Sequence, residues 1–209
     1  MSAEPRKIRL GALLFEEFEL LDVFGPLEMF GLLRDRVEIV MLGERPGAVR
    51  SNQGPRGWVD VTLAEAPAVD VLLIPGGWGT RRGVEDPVLI QALKDQAESA
   101  AWVATVCTGT ALLARTGLLD GRRATSNKLA FKWVMSQGPA VNWVPEARWV
   151  EDGKFFTSSG VSAGMDMALG LIGKLFDRET SLQVARWAEY TWNDDPTRDP
   201  FAKPAGLVD

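Results

Sequence analysis

Ala101-Trp102-Val103-Ala104-Thr105-Val106-Cys107-Thr108-Gly109-Thr110-Ala111-Leu112-Leu113-Ala114 holds the only cysteine of the chain at the joint between two kinds of pattern. Residues 101–106 are apolar and partly β-branched, as in a buried strand, and the Ala/Leu-rich segment behind Thr108-Gly109-Thr110 has helical character. Cys107 is therefore placed on a strand-to-helix turn. There the free N–H groups of the first helical turn carry partial positive charge and favour a thiolate over a thiol. Nucleophile elbows use the same turn to raise a side chain above the end of a sheet. A lone cysteine is also found as a small buried hydrophobe; its position at the turn is what argues for a reactive group.

The strand before it sets the sheet. Asp70-Val71-Leu72-Leu73-Ile74-Pro75-Gly76-Gly77 reads as a buried strand ending in a glycine pair, and residues 87–100 read as a helix with Val88, Ile90, Leu93 and Ala97 on its apolar side. Strand, helix and strand in that order give a right-handed parallel crossover, which brings both strand ends to one edge of the sheet. The amides of Gly76, Gly77 and Thr108 are then expected to face one point and form an oxyanion hole.

Upstream, residues 7–15 read as the first parallel strand, and an acidic loop leads into Leu20-Leu21-Asp22-Val23-Phe24-Gly25-Pro26. Asp22, flanked by apolar residues, reads as the N-cap of a helix over residues 26–33, with a functional role kept open. Residues 37–42, 49–53 and 58–63 read as strands. Downstream, Gly117 stops the elbow helix, residues 127–134 read as a short helix capped by Ser126 or Asn127, and 141–144, 148–151 and 154–157 read as strands. Asp152-Gly153 joins the last two as a hairpin. Helices over 167–176 and, after an Asp177 cap, 178–190 follow, and 193–209 is an irregular tail rich in Pro and Asp. Alternating strands and helices specify an α/β fold with a mainly parallel central sheet and helices on both faces.

Composition narrows the chemistry further. A chain of 209 residues suits a single domain spanning 1–209, and 46% apolar with 24% charged residues argues against long disorder. One cysteine makes no internal disulfide, and the first residues show no secretory apolar segment, so a cytoplasmic location is expected. No run approaches a membrane span, and a net charge of −5 without clustered Lys/Arg speaks against nucleic-acid binding. The sequence has no histidine, which removes Cys-His dyads, Ser-His-Asp triads and the common zinc sites together. Neither a metal nor another cofactor is expected. Whatever assists Cys107 is a carboxylate, a helix end or the backbone.

The strand ending Pro75-Gly76-Gly77 and the turn Val106-Cys107-Thr108-Gly109 resemble the ThiJ/PfpI superfamily, related to class I glutamine amidotransferases. So do Leu21-Asp22-Val23-Phe24-Gly25-Pro26, Thr116-Gly117-Leu118-Leu119-Asp120-Gly121 and Ser159-Gly160-Val161-Ser162-Ala163-Gly164-Met165-Asp166. The resemblance covers residues 10–190 and is nearest to the branch containing isonitrile hydratase. It implies a flavodoxin-like three-layer sandwich carrying an elbow cysteine. It also implies Cys107 as nucleophile, Asp22 as its acidic partner and Thr108 as a substrate-holding residue. Where that branch has a histidine after the elbow helix, this chain has Asn127, which shuttles no proton; hydrolytic amidotransferase or peptidase chemistry is thereby disfavoured.

The implied reaction is addition of water to an isonitrile, giving an N-substituted formamide, with Asp22 and Cys107 sharing a proton. Trp78 and Phe24 are expected as apolar walls of the pocket, or else as core or interface aromatics. Two other readings use the same cysteine: a glyoxalase or deglycase acting on reactive carbonyls, and a non-enzymatic redox sensor in which Cys107 oxidises to a sulfinate. A small-molecule substrate is expected, as is a homodimer, the latter from the family and from Trp133, Trp143, Trp149, Trp187 and Trp192 taken as exposed.

Overall fold

The computed structural model describes residues 6–208. The first residues, 1–5, on which the expected location was read, lie outside the described residues, as does residue 209. Along the chain run β1 (Ile8–Leu13), α1 (Leu20–Gly31), β2 (Val37–Gly43), β3 (Gly47–Arg50), β4 (Arg56–Val59), β5 (Val61–Thr62), β6 (Val71–Ile74), α2 (Thr80–Gly83), α3 (Pro87–Ser99) and β7 (Trp102–Val106). Then follow α4 (Gly109–Arg115), β8 (Arg123–Ala124), α5 (Phe131–Gln137), β9 (Asn142–Trp143), β10 (Trp149–Asp152), β11 (Phe155–Ser158), α6 (Ala163–Leu175) and α7 (Arg178–Trp187).

Seven strands form the central sheet in the order β10-β11-β7-β6-β1-β2-β5. Every pairing is parallel except β10 with β11, the hairpin through Gly153, whose φ of +60° fits the expected Asp-Gly turn. Strand periodicity divides the apolar residues between two faces. Val71 and Leu73 of β6 join one core with Val23, Met29, Met167 and Val184 from α1, α6 and α7. Leu72 and Ile74 join another with Leu93, Leu112 and Val134 from α3, α4 and α5. The result is the three-layer α/β sandwich, a mostly parallel sheet between two helical layers, and a strand buried on both faces needs the uninterrupted apolar run that β6 has.

Three expectations change. The first helix begins at Leu20, not Pro26, so Asp22 lies in its first turn and is no N-cap; Glu19 holds the cap position without a side-chain bond. Pro26 sits inside α1, where its missing N–H leaves the carbonyl one turn earlier without its usual helical donor. The helix expected at residues 127–134 starts at Phe131, behind a turn in which Asn127 Oδ1 accepts the Ala130 N–H at 2.9 Å. Of the five tryptophans taken as exposed, only Trp187 is: Trp149 is core, Trp143 packs edge-on against Phe131, Trp192 donates to Asp166 O, and Trp133 lines a cleft. Among the described residues no helix is long and apolar enough to cross a membrane.

The tail is threaded back onto the body. Pro196 O accepts the Arg148 N–H at 2.8 Å, and the Asp199 N–H donates to Glu146 O at 2.7 Å. Beneath it the Arg148 guanidinium is buried between two carboxylates, at 2.6 Å from Asp166 and 3.7 Å from Asp199.

Candidate active site

The helix after β1 packs on one face of the sheet and the helices after β6 and β7 on the other. β1 and β6 are neighbours, so a crevice opens beyond their carboxyl ends, where chain direction across the sheet reverses. Three segments converge there: Asp22 from α1, Gly76-Gly77 behind β6, and Cys107 behind β7.

Cys107 sits between β7 and α4 with a φ of +56°, a left-handed backbone that costs a residue with a Cβ about 1–2 kcal/mol. Two buried serines hold it there. Ser126 Oγ donates to Cys107 O at 2.6 Å, and the Cys107 N–H donates to Ser159 O at 3.2 Å. Gly109 lets the next turn close on β6: a Cβ there would lie 2.4 Å from Ile74 O and 2.6 Å from Pro75 O. Gly77, at φ +128°, is equally constrained, its would-be Cβ falling 2.3 Å from Glu17 O.

Asp22 is fully buried. Its Oδ2 accepts the Gly76 N–H at 2.9 Å, while Oδ1 has no hydrogen-bond partner and the Cys107 thiol is the neighbouring side-chain donor. Burial pushes the Asp22 carboxyl well above the usual carboxylate range, against the pull of the Gly76 N–H. Burial also pushes the Cys107 thiol up, and a charge on Asp22 would push it further; the Thr108 N–H and the Asn127 side chain pull it down without prevailing. Burial thus opposes the thiolate that the helix end was expected to favour. It favours the protonated form of each group, and the two are coupled in their titration.

The expected oxyanion hole is also revised. The Gly76 amide is taken by Asp22 and the Gly77 amide by Thr108 Oγ1 at 3.1 Å, within a knot that includes Thr80 Oγ1, 3.1 Å from Thr108 Oγ1. The amide left for chemistry is that of Thr108, which reaches the sulfur. Asn127, its Oδ1 engaged by Ala130, turns its NH2 towards the same sulfur. It stands beside the sulfur as a donor that does not titrate.

A cleft of about 490 Å³ opens over Cys107 and Thr108. Gly77, Trp78 and Asn127 line it, and Phe24 does not: it lies outside, its ring tilted against Phe18 with centroids 6.4 Å apart. Glu19, Arg81 and Trp133 line it unannounced by the sequence. The positions of Arg81 and Trp133 depend on how α2 and α5 fold over the sheet edge, and no local motif encodes that; Ser126, read as a possible helix cap, and Ser159, read at the head of a motif, hold the Cys107 backbone instead. Another cleft, of about 410 Å³ beside Leu32, Arg36 and Trp187, contains no cysteine.

The DJ-1/PfpI family model matches residues 9–174. An isonitrile hydratase of Pseudomonas putida is 32% identical over 206 residues, 97% of this chain and 87% of that protein. An HTH-type transcriptional regulator, GbdR, of Pseudomonas aeruginosa is 32% identical over 188 residues, 87% of this chain but 50% of the regulator. Among solved structures, a THiJ/PfpI family protein from Pseudomonas syringae superposes with a TM-score of 0.83 at 27% identity, covering 98% of this chain and 86% of that one.

Proposed function

This chain belongs to the DJ-1/PfpI family, and from that premise we propose that it is a cysteine-dependent hydratase converting an isonitrile to an N-substituted formamide. The observation that carries the reading is the buried Asp22–Cys107 pair, in which burial favours the protonated form of each and Asp22 Oδ1 has no hydrogen-bond partner. Hydrolytic chemistry starts from a thiolate made by a base. This site has no imidazole and burial opposes the anion, so it suits a reaction that consumes the S–H bond whole.

Addition to an isonitrile does that. The terminal carbon of R–N≡C takes a proton from the Asp22 carboxyl while the Cys107 sulfur bonds to the same carbon, and the carboxylate so formed takes the thiol proton. The product is a thioimidate, R–N=CH–S–Cys107, with Asp22 again protonated and no net charge created in the cleft. Water then adds across C=N, its oxygen to carbon and its proton to nitrogen. The C–S bond breaks as the hydroxyl proton returns to sulfur through Asp22, releasing R–NH–CHO and the thiol. The Thr108 N–H and the Asn127 NH2 hold the sulfur while charge shifts onto it.

Formation of the formamide from a small alkyl isonitrile under reducing conditions tests this. Cys107→Ser should abolish turnover, and Asp22→Asn, which keeps an acceptor for the Gly76 N–H but cannot relay protons, should lower kcat by at least ~100-fold. Absence of turnover in the native protein would overturn the reading; methylglyoxal turnover would then favour a carbonyl enzyme.

A further inference from the structure

Arg81 lies in the wall of the Cys107 cleft with its guanidinium between two indole rings, 4.7 Å from the Trp78 centroid and 4.2 Å from that of Trp133. A guanidinium offers five N–H donors in a planar fork and stays charged. Here only Nη1 meets acceptors, Gly77 O and Thr80 Oγ1, each at 3.4 Å. Among the described residues no carboxylate lies within ion-pair distance of it. Its neighbour Arg82 is paired with Glu17 at 2.7 Å, and Glu19, the other charged residue in the cleft wall, is engaged by Gln53 Nε2. Arg81 is thus a partly buried cation, stacked in one orientation, with most of its donors unspent, in the wall of the same cleft as Cys107.

We propose that Arg81 is the receptor for an anionic group of the substrate, so that the cleft selects a molecule bearing a carboxylate near the carbon that Cys107 attacks. Stacking between Trp78 and Trp133 fixes the fork before the ligand arrives, so little side-chain freedom is lost on binding. A carboxylate satisfies the free donors in pairs, which a neutral group of the same size does not. For the identity of the reacting group this inference rests on the hydratase reading, and the favoured substrate is then an isocyano-carboxylate; the anion site itself does not depend on it.

Two measurements separate these. The first compares alkylation of Cys107 by iodoacetate and by iodoacetamide, which share a reacting carbon and leaving group and differ in charge. The iodoacetate-to-iodoacetamide rate ratio should be ~10-fold or more higher in the native protein than in Arg81→Gln, with Arg81→Lys between them. The Lys variant also serves if the Gln variant does not fold. The second compares kcat/KM for isocyanoacetate and its methyl ester, whose ratio should fall by a similar factor in Arg81→Gln, mainly through KM. Equal alkylation ratios in the native and variant proteins overturn the anion site, whatever the isonitriles do. An Arg81-dependent alkylation ratio with turnover of neither isonitrile keeps the anion site and overturns the hydratase reading.

Discussion

At Asp22 burial favours the protonated carboxyl, and that has a consequence for stability as well as chemistry. Its pKa in the fold is raised by burial, so between the ordinary carboxylate range and the raised value the native state binds a proton that the unfolded chain has released. Stability contributed by the neutral form is complete below the unfolded value and is lost as pH climbs through that window. Asp22→Asn has no such loss. Relative to the native protein it should therefore gain stability on going from about pH 4 to about pH 8, as read from urea midpoints at the two pH values. A native-to-variant difference constant with pH would mean that Asp22 is ionised in the fold. Cys107 stood out in the sequence by its singularity at a pattern break, whereas the apolar flanks of Asp22 led to an N-cap reading, and its pairing with the cysteine came from the family resemblance. The burial that opposes a thiolate was not legible, because a helix end is visible in a sequence whereas the depth at which Cys107 is buried depends on packing from distant segments. Arg81 was missed, and Trp133 taken as exposed, for the same reason.

The elements around the site were legible where their pattern is local. β6 has a continuous apolar run, the β10–β11 hairpin has its Asp-Gly turn, and α7 has an Asp177 cap that accepts the Thr180 N–H at 2.7 Å. α1 was misplaced because Pro26 has the signature of a first helical turn, while Leu20-Leu21-Asp22-Val23 carries no strong cap signal. The turn from β7 to α4 is the element on which the site depends, and Gly109 is its tightest point. In Gly109→Ala the new methyl must push against the backbone carbonyls of Ile74 and Pro75, which cannot swing aside as a side chain would. Parting β6 from α4 should cost about 3 kcal/mol or more and displace Cys107 from Asp22. Chemical denaturation would read the first effect and the rate of Cys107 alkylation the second. A variant with unchanged stability and reactivity would show that the turn has slack.

On the scale of the whole molecule, the parallel crossover followed from strand and helix order because it has one favoured hand, and the resemblance supplied the three-layer plan, whereas neither gave the path of the tail. Residues 193–208 carry no periodic apolar pattern; what holds them is a buried charge cluster assembled from three parts of the chain. Arg148 precedes β10, Asp166 stands in α6 and Asp199 in the tail, while Tyr190 OH and the Asn193 N–H both donate to Asp166 Oδ1. Arg148→Ala leaves two buried carboxylates without their cation, so it should cost about 3–5 kcal/mol in urea unfolding. The loss should be local first. With Arg148 gone the tail keeps few apolar contacts, and limited proteolysis should cut within 193–208 before the body of the protein opens. Asp199→Asn, which removes only the more distant partner at 3.7 Å, should destabilise far less and leave α6 protected. If Arg148→Ala unfolds the entire chain in one step with no early cleavage in the tail, the cluster belongs to the central core; early release of the tail alone would make it a clasp added to a sandwich that stands without it.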